Sequence, residues 1–461
     1  MKTRSIFPAT LLLAASLLAS CQSKEANPWE EMNEALSQLT IPTFPDKTFI
    51  ITEYYNGTDS LYTEAISRAI DTCSAQGGGT VLIPNGTYRT APIRLKSNVN
   101  LHLSDSTVLQ FVTDPALFPT VLTRIEGIDC HNVSPLIYAY GETNIALTGK
   151  GILDGQADTS NWFSPARLKS IDENGKEINE KTLLYQMMKD SIPASRRVFA
   201  GEKGIRPQFI NLYKCKNILL EGFTLHRSPF WLIHPLLSEN ITVRKVILQS
   251  HGRNNDGCDP ESCKNVLIDS CSFDTGDDCI AIKSGRDEDG RYWNIPSENI
   301  IVRNCLMKDG HAGVAIGSEI TGGCQNVWVE NCRMDSPELD RIIRIKSNSE
   351  RGGEVKNIFV RDITVGECKE SILGIELNYW HVEDGPYPPY FHNIHLENIT
   401  SQKSNYLLHI DGTEGKIQAR DIFIKNCTFN GIARPAINYV SGAEGIHFEN
   451  VTANGKEIKS R

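Results

Sequence analysis

The sequence predicts an all-β fold, a right-handed parallel β-helix (a solenoid of short strands) whose N-terminal end is capped by a helix. Nine segments open with Asn or Asp followed by Ile or Val, and from the second onward they recur at spacings of 23, 25, 34, 27, 31, 36 and 28 residues. Each segment alternates apolar and polar residues and then reaches a small or polar residue, which is the pattern of a strand followed by a turn. A period of about 25 residues without helices fits a parallel β-helix, with loops on one side where the spacing is longer. The segments begin at Asn144, Asn217, Asn240, Asn265, Asn299, Asn326, Asn357, Asn393 and Asp421.

The composition is that of an ordinary globular protein. Of the 461 residues, 40% are hydrophobic and 22% are charged, which excludes disorder, collagen and coiled coil. The 47 basic and 56 acidic residues give a formal charge of −9, which argues against a nucleic-acid partner held by a general basic field. The basic residues that hold any polyanion must therefore be few and local.

Most of the 13 cysteines occupy fixed positions of the repeat. Equivalent positions in successive coils stack, so we predict interior ladders of small apolar side chains rather than disulfides or metal ligands. Neither a metal nor a cofactor is expected. Cys271, Cys305, Cys332 and Cys427 lie six residues after the leading Asn or Asp, and Cys215, Cys263 and Cys324 lie two residues before it.

The N-terminal residues predict an export signal over 1–20 and a tether over 21–45. Lys2 and Arg4 precede an apolar run over 6–18 that is too short to span a bilayer of ~30 Å as a helix. The ending Leu-Ala-Ser-Cys21 resembles the bacterial lipoprotein signal, which implies that Cys21 is lipidated and becomes the mature N-terminus. The implied location is the bacterial cell envelope, at the outer membrane facing the periplasm or the surface. A plain secretory signal with an incidental cysteine is the alternative.

Residues 46–110 are predicted to form the N-terminal cap and the first coils, and 111–461 the β-helix catalytic domain. Leu61, Ala65, Ile66, Ala69, Ile70 and Cys73 recur at helical spacing, Asp59 or Ser60 is a candidate N-cap, and Gly77 follows the helix. An amphipathic helix covers the core that the end of a solenoid exposes. Part of the long interval between Asn144 and Asn217 is expected to project as a loop beside the coils.

Four segments align without gaps on their final serines, at 256–262, 278–284, 312–318 and 341–347. Two of the aligned columns are nearly all apolar and are predicted to face inward, so the columns between them face outward. The outward columns and the adjoining turns bring acids, a histidine and cations onto one outer face. These residues are Asp256, Asp277, Asp278, Asp259, Glu261, His311, Lys283, Arg344 and Lys346, with Trp231 and His234 one coil earlier.

This outer face predicts the chemistry. Clustered carboxylates repel one another and cost stability, which a solvated surface does not require; for Glu261 and Lys283 a solvated face remains an open alternative. Hydrolysis of a glycosidic bond needs one protonated carboxyl to protonate the leaving oxygen and one carboxylate to activate water. Arg and Lys beside them suit an anionic sugar. The residues therefore indicate hydrolysis of an acidic polysaccharide.

Four motifs resemble the signature of the polygalacturonases, glycoside hydrolase family 28. They are Asn254-Asn-Asp256, Gly276-Asp-Asp278, Gly310-His311 and Arg344-Ile-Lys346, in the family's order. The resemblance implies that Asp277 is the general acid, that Asp256 and Asp278 activate water and that His311 tunes the protonation of the acid. It also implies that Arg344 and Lys346 bind substrate. Asn254 and Lys283 are further candidates for substrate contacts, and His234 either contacts sugar or packs. Asn255 and Ala312 depart from the family's usual Thr and Gly without removing a catalytic group.

The expected activity is inverting hydrolysis of α-1,4-galacturonosyl linkages in pectic poly- or oligogalacturonate, with exo action. Insertions at 144–217, at 285–297 and after Glu376 are expected to rise around the carboxylates, and Tyr379 is a candidate sugar contact. We expect side chains that lean apart to bring Asp256 and Asp277 to the ~6.5–9.5 Å separation of an inverting pair. We also expect the neighbouring carboxylates to raise the pKa of Asp277. The alternatives are a hydrolase of rhamnogalacturonan-type pectin, a calcium-dependent lyase, or a sugar-binding adhesin on the same fold.

Overall fold

A computed structural model describes residues 27–164, 170–171 and 177–459, and it confirms the predicted parallel β-helix. Three parallel sheets run along the molecule. One of them, here named the groove sheet, carries the outward columns identified above. Its strands are Ile93–Arg94, Ile137–Tyr140, Ile210–Tyr213, Ile233–Leu236, Ile280–Ile282, Ala312–Gly317, Arg341–Lys346, Ser371–Glu376, Tyr406–Asp411 and Asn438–Val440.

The other two sheets complete each coil. The second sheet contains Thr48–Ile50, Gly79–Ile83, Val99–Leu103, Thr143–Gly149, Lys216–Glu221, Glu239–Arg244, Lys264–Asp269, Ser297–Arg303, Cys324–Glu330, Glu354–Glu367, Tyr390–Lys403, Ala419–Phe429 and Ala443–Ala453, and Lys456–Ile458 pairs with the last of these. The third sheet contains Gly86–Thr90, Thr107–Phe111, Ile152–Asp154, Thr224–His226, Ile247–Ser250, Ser272–Thr275, Leu306–Asp309 and Arg333–Met334, and then joins the long strands of the second.

The predicted column register is confirmed. Cys258 pairs with Ile280, Ile280 with Val314 and Val314 with Ile343, and all four side chains are buried in the core. The cysteines of the described residues are buried and free of disulfides, as the ladder interpretation requires.

The leading asparagines of the repeat form a continuous ladder on the second sheet. Each adopts a left-handed backbone with φ near +55°, a conformation that Asn tolerates better than most residues. Each side-chain amide also donates to the carbonyl oxygen of the preceding member; for example, Asn299 donates to Asn265 at 3.0 Å and Asn326 donates to Asn299 at 3.1 Å. The repeat therefore requires asparagine for both its backbone and its side chain.

The capping helix α2 (Thr63–Ala75) buries the predicted residues Ala65, Ile66, Ala69, Ile70 and Cys73 against the first coils. It begins at Thr63 rather than after Asp59 or Ser60, so the predicted N-caps are wrong. The Thr63 hydroxyl instead accepts a hydrogen bond from the Ala91 backbone at 2.7 Å and so ties the helix start to the solenoid.

The predicted tether over 21–45 needs correction where the chain is described. A helix, α1 (Pro28–Ser37), lies on the outer face of the second sheet and packs Met32 and Ala35 against it. The Trp328 indole donates to the Pro28 carbonyl at 2.8 Å, and Arg361 lies 3.7 Å from the Trp29 ring centre. The apolar stripe of α1 stabilises its packing against the sheet. The polar composition of the segment gave no indication of this helix. Cys21 and the rest of the signal segment lie outside the described residues.

Two elements project from the coils beside the groove sheet. An antiparallel hairpin, here named the cover hairpin, pairs Thr120–Ile125 with Ile128–Val133. The long insertion contributes α3 (Glu180–Lys189), the short strand Val198–Phe199 beside the cover hairpin, and the pair Ser170–Ile171 and Glu177–Ile178. A fourth helix, α4 (Asp287–Trp293), follows the groove sheet's strand Ile280–Ile282. Over the part of the chain that the structure describes, none of these helices is long and apolar enough to cross a membrane.

Candidate active site

Three carboxylates converge where two coils enter the groove sheet. Asp256, Asp277 and Asp278 place one oxygen each within 4.8 Å of the others. Asp256 and Asp278 are 4% and 1% exposed, whereas the Asp277 side chain is 20% exposed. The predicted grouping is therefore formed, beside buried positive charge. The ~6.5–9.5 Å separation of the Asp256 and Asp277 carboxyl groups stays a prediction.

Two lysines supply that charge. Lys346 Nζ lies 2.7 Å from Asp278 Oδ2, and Lys283 Nζ lies 3.7 Å from Asp256 Oδ2. Lys283 is 3% exposed, so the solvated-face alternative is wrong for it. The structure places it as a counter-ion beneath the carboxylates rather than as the surface substrate contact predicted for it. Its ammonium also lies 4.5 Å from the buried Trp231 ring centre.

Two further acids complete the charge balance around Lys283. Its Nζ lies 3.5 Å from Asp259 Oδ1 and 3.2 Å from Glu319 Oε2. Asp259 was visible in the sequence as an outward residue of the aligned columns, but nothing in the spacing gave it a role. Glu319 follows the aligned serine of the third segment and lay outside the columns, so only the fold brings it to the site.

The pKa pattern of the carboxylates differs from the expected one. Burial raises the pKa of Asp256 well above its ordinary value, and repulsion from Asp277 and Asp259 raises it further. Burial alone would also raise the pKa of Asp277, but the His311 hydrogen bond and the charges of Lys346, His311 and Lys283 lower it to about 2. The expected rise in the pKa of Asp277 is therefore wrong, because the His311 hydrogen bond and the neighbouring positive charges outweigh the effect of burial.

His311 is the most exposed member of the site. Its Nδ1 lies 2.9 Å from Asp277 Oδ1, and its side chain is 51% exposed. The hydrogen bond to Asp277 is the main cause that raises the pKa of His311. The opposite pKa shifts of the two groups favour a charged pair, imidazolium beside carboxylate, at the exposed edge of the site.

Arg344, Lys346 and Tyr379 are brought together as predicted. The Tyr379 ring centre lies 5.8 Å from the Arg344 guanidinium and 5.7 Å from Lys346 Nζ. Arg344 Nε also donates to Glu376 Oε2 at 2.7 Å, a partner that the sequence did not indicate. These residues form a cationic and aromatic wall two coils from Asp278.

Asn254 lies at the upstream edge of the site. It is half-buried, with a left-handed backbone, and its side-chain oxygen accepts a hydrogen bond from Arg206 Nη2 at 2.9 Å. Arg206 is itself buried between the Phe163 and Phe230 rings, 5.1 and 5.2 Å from their centres. Asn254 therefore lies where a substrate can reach it, beside an arginine that sequence reasoning missed.

The predicted substrate contact of His234 is wrong. His234 is fully buried, and its Nε2 lies 2.9 Å from Glu261 Oε2. Its Nδ1 faces the Asn211 amide at 3.1 Å, and burial lowers its pKa. Glu261 in turn accepts a hydrogen bond from Arg124 Nη1 of the cover hairpin at 3.0 Å. His234 and Glu261 therefore anchor the hairpin, and the solvated face considered for Glu261 is excluded.

The cover hairpin covers the groove sheet one coil upstream of the carboxylates. Ile125 and Ile128 pack against Phe230 and Trp231, one coil before Asp256. At the hairpin tip Glu126 pairs with Lys181 of α3, and Gly127 accepts a hydrogen bond from the Arg286 backbone at 3.2 Å. Sequence reasoning missed this hairpin, because no repeat position marks it.

The predicted loops also meet beside the site. The Tyr185 hydroxyl of α3 donates to Glu350 Oε2 at 3.2 Å, and Lys189 of α3 lies 3.5 Å from Glu288 of α4. The turn Tyr379–His381 brings Trp380 within 5.5 Å of the Arg286 guanidinium. The insertion, the 285–297 segment and the segment after Glu376 thus form a single wall, as expected.

A parallel β-helix with clustered carboxylates and cations in a groove defines a glycoside hydrolase for an acidic sugar chain. The model of glycosyl hydrolases family 28 matches residues 194–445, and the chain belongs to that family. The solved structure of a hyperthermoactive exopolygalacturonase from Thermotoga maritima is 37% identical, with a TM-score of 0.85, over 93% of this chain and 96% of that one.

Curated relatives agree with the family. An exo-poly-alpha-D-galacturonosidase of Dickeya chrysanthemi is 26% identical over 91% of this chain and 73% of its own length. A probable polygalacturonase of Vitis vinifera is 29% identical over 72% of this chain. The matched region covers 62% of the length of that relative.

Proposed function

We propose that this protein hydrolyses α-1,4-galacturonosyl linkages of pectic poly- or oligogalacturonate from a chain end and releases monogalacturonate. The carrying observation is a group of three carboxylates, beside Lys346 and Arg344, in a groove whose sheet the cover hairpin covers one coil upstream. An anionic sugar chain complements the cations, and a groove covered at one end admits a chain end rather than its middle. The exo-acting relatives of similar sequence support the same activity.

Asp277 is the group placed to protonate the leaving oxygen. It is the most exposed of the three carboxylates, and its hydrogen-bond partner His311, whose pKa is raised, is placed to share the proton with it. A sugar ring that covers the pair excludes water and disfavours separated charges, so the proton moves to Asp277. The bond to the leaving oxygen then breaks as that oxygen takes the proton.

Asp256 and Asp278 are the groups placed to hold the attacking water. Asp256 Oδ1 and Asp278 Oδ1 are buried and have no hydrogen-bond partner among the described residues, so each is free to accept from a water. The water oxygen bonds to the anomeric carbon, and its proton passes to one of these carboxylates. Lys346 beside Asp278 and Lys283 beside Asp256 offset the negative charge of the group during this step.

The test is a product profile on polygalacturonate. We expect monogalacturonate from the first minutes, slow loss of viscosity, and no ultraviolet absorbance from an unsaturated product. Rapid viscosity loss with mixed oligomers would contradict exo action, and release only from rhamnogalacturonan would contradict the substrate. Asp277→Asn should leave at most a few per cent of kcat, whereas the matched Asp274→Asn, whose partner is the exposed His251, should retain it.

We propose further that Cys21 is lipidated and anchors the enzyme to the bacterial cell envelope. The support is the pattern of the first 21 residues: two basic residues, a short apolar run and Leu-Ala-Ser-Cys. Cys21→Ser should move the protein from the membrane fraction to the soluble fraction and abolish incorporation of labelled palmitate. Unchanged partitioning would instead indicate a plain secretory signal.

A further inference from the structure

Arg286 lies at the covered end of the groove, where three projecting elements meet. Its guanidinium lies 4.6 Å from the ring centre of Tyr185 on α3 and 5.5 Å from that of Trp380. The tip of the cover hairpin contacts its backbone through Gly127. The Arg286 side chain is 8% exposed, whereas Trp380 is 60% exposed, so the arginine is fixed beneath an open aromatic surface.

The Arg286 guanidinium has two ion-pair partners but a buried Nε without a hydrogen-bond partner among the described residues. Arg286 makes no side-chain hydrogen bond to any residue that the structure describes, and its nearest carboxylates, Glu126 and Asp287, each lie 3.6 Å away. Arg351 lies beside it, 2% exposed, with Nη1 also unpartnered among these residues. Buried donors without partners are costly unless a ligand satisfies them.

These arginines belong to the charge network of the catalytic group. Burial alone would raise the pKa of Glu319, but the charges of Lys283, Arg351, Arg286 and Lys346 lower it well below its ordinary value. Glu319 therefore lies among four cations, and Lys283 links it to Asp256. Arg286 and Arg351 are therefore linked electrostatically, through Glu319 and Lys283, to the catalytic carboxylates.

We propose that Arg286, supported by Arg351, is the specificity site for the carboxylate of the terminal galacturonate residue, with Trp380 covering the same sugar. The planar carboxylate takes the two-point fork of the guanidinium, which the Tyr185 and Trp380 rings hold in orientation. This inference rests on the proposed function and adds to it the group that distinguishes an acidic terminal residue from a neutral one.

The test uses trigalacturonate and its two monomethyl esters, one at the non-reducing and one at the reducing terminal residue. We expect the wild-type kcat/KM for one of these esters to be lower by about 10- to 150-fold, as for loss of a hydrogen bond to a charged group. Arg286→Met should lower kcat/KM by the same factor for the free acid and for the ester that the wild type cleaves well. It should leave kcat/KM unchanged for the ester that the wild type cleaves poorly. Arg286→Lys, which keeps the charge but not the fork, should retain part of the discrimination.

Arg303→Met is the matched control, because the Arg303 guanidinium pairs with Asp269 at 3.0 Å on the second sheet, away from the groove sheet. It should discriminate as the wild type does. Equal losses on all three substrates in Arg286→Met, or a wild type that cleaves all three alike, would overturn the inference. A wild type that cleaves none of them, nor polygalacturonate, would instead refute the proposed function.

Discussion

His311 Nδ1 and Asp277 Oδ1 form a 2.9 Å hydrogen bond at the exposed edge of an otherwise buried carboxylate group. This bond favours the charged forms of both groups. It also gives two neighbouring groups opposite pKa shifts, downward for Asp277 and upward for His311.

This pair predicts a pH-dependent contribution to stability. The folded-state pKa of His311 is raised above 6.5, so its contribution is complete below that pH and is lost as pH rises through the folded value. The pKa of Asp277 falls from 3.8 to about 2, so its contribution is present above 3.8 and is lost as pH falls through about 2. His311→Asn should therefore lower the urea-unfolding free energy more at pH 5.5 than at pH 9. An equal loss at both values would contradict the ion pair, and the exposed His381→Asn serves as control.

The tip of the cover hairpin predicts a glycine requirement. Gly127 has φ +82°, and a Cβ there would lie 2.6 Å from the Arg286 backbone nitrogen. Gly127→Ala should displace the hairpin and increase the proportion of oligogalacturonates among the products, as measured by chromatography. Gly141→Ala is the matched control, because its φ is +69° and nothing lies within 4 Å of the added carbon. An unchanged product profile in Gly127→Ala would mean that the hairpin does not limit the groove.

The burial of two carboxylates predicts inversion at the anomeric carbon. Asp256 and Asp278, at 4% and 1% exposure, lie too deep to form a covalent bond to the sugar, whereas a water between them and the sugar can attack. Proton NMR of the earliest product should show the β-anomer from the α-linkage. An initial α-anomer would identify a retaining mechanism and a carboxylate nucleophile.

The asparagine ladder predicts the cost of removing one member. Asn299 has φ +57°, donates to Asn265 and accepts from Asn326. Asn299→Gly keeps the backbone relaxed but loses both hydrogen bonds, and we expect it to cost about 1–3 kcal/mol of unfolding free energy. Asn299→Ala adds backbone strain of about 1 kcal/mol. Equal stability of the two variants in urea would show that the left-handed backbone carries no cost there.

The coils and the catalytic columns could be predicted because their order follows chain periodicity. Once four segments align, alternation places Lys283, Arg344 and Lys346 on one outer face. The turns that precede these strands bring Asp256 and Asp278 to the same face. The spacing of the chain also gives Tyr379 a place near Arg344, because both lie at the same end of neighbouring coils.

The cover hairpin and the pKa of Asp277 could not be predicted from the sequence. A hydrogen bond between Arg124 and Glu261 holds the hairpin, and these residues are separated by 137 positions. No sequence motif indicates that the two residues are in contact. A substrate contact for His234 follows from its outward position in the strand. The cover hairpin packs over that position and buries the side chain. The pKa of Asp277 depends on distances to His311 and two lysines that no spacing specifies.

The asparagine ladder has a direction. Each amide passes its hydrogen to the coil before it, and each carbonyl oxygen receives one from the coil after it, as in Asn217, Asn240 and Asn265. Every coil therefore presents the same polar junction to its neighbour. A duplicated coil that carries its own asparagine can be inserted between two existing coils while the hydrogen bonds of the asparagine ladder stay continuous. The catalytic platform can in this way be lengthened by whole units, which offers a modular route to longer grooves.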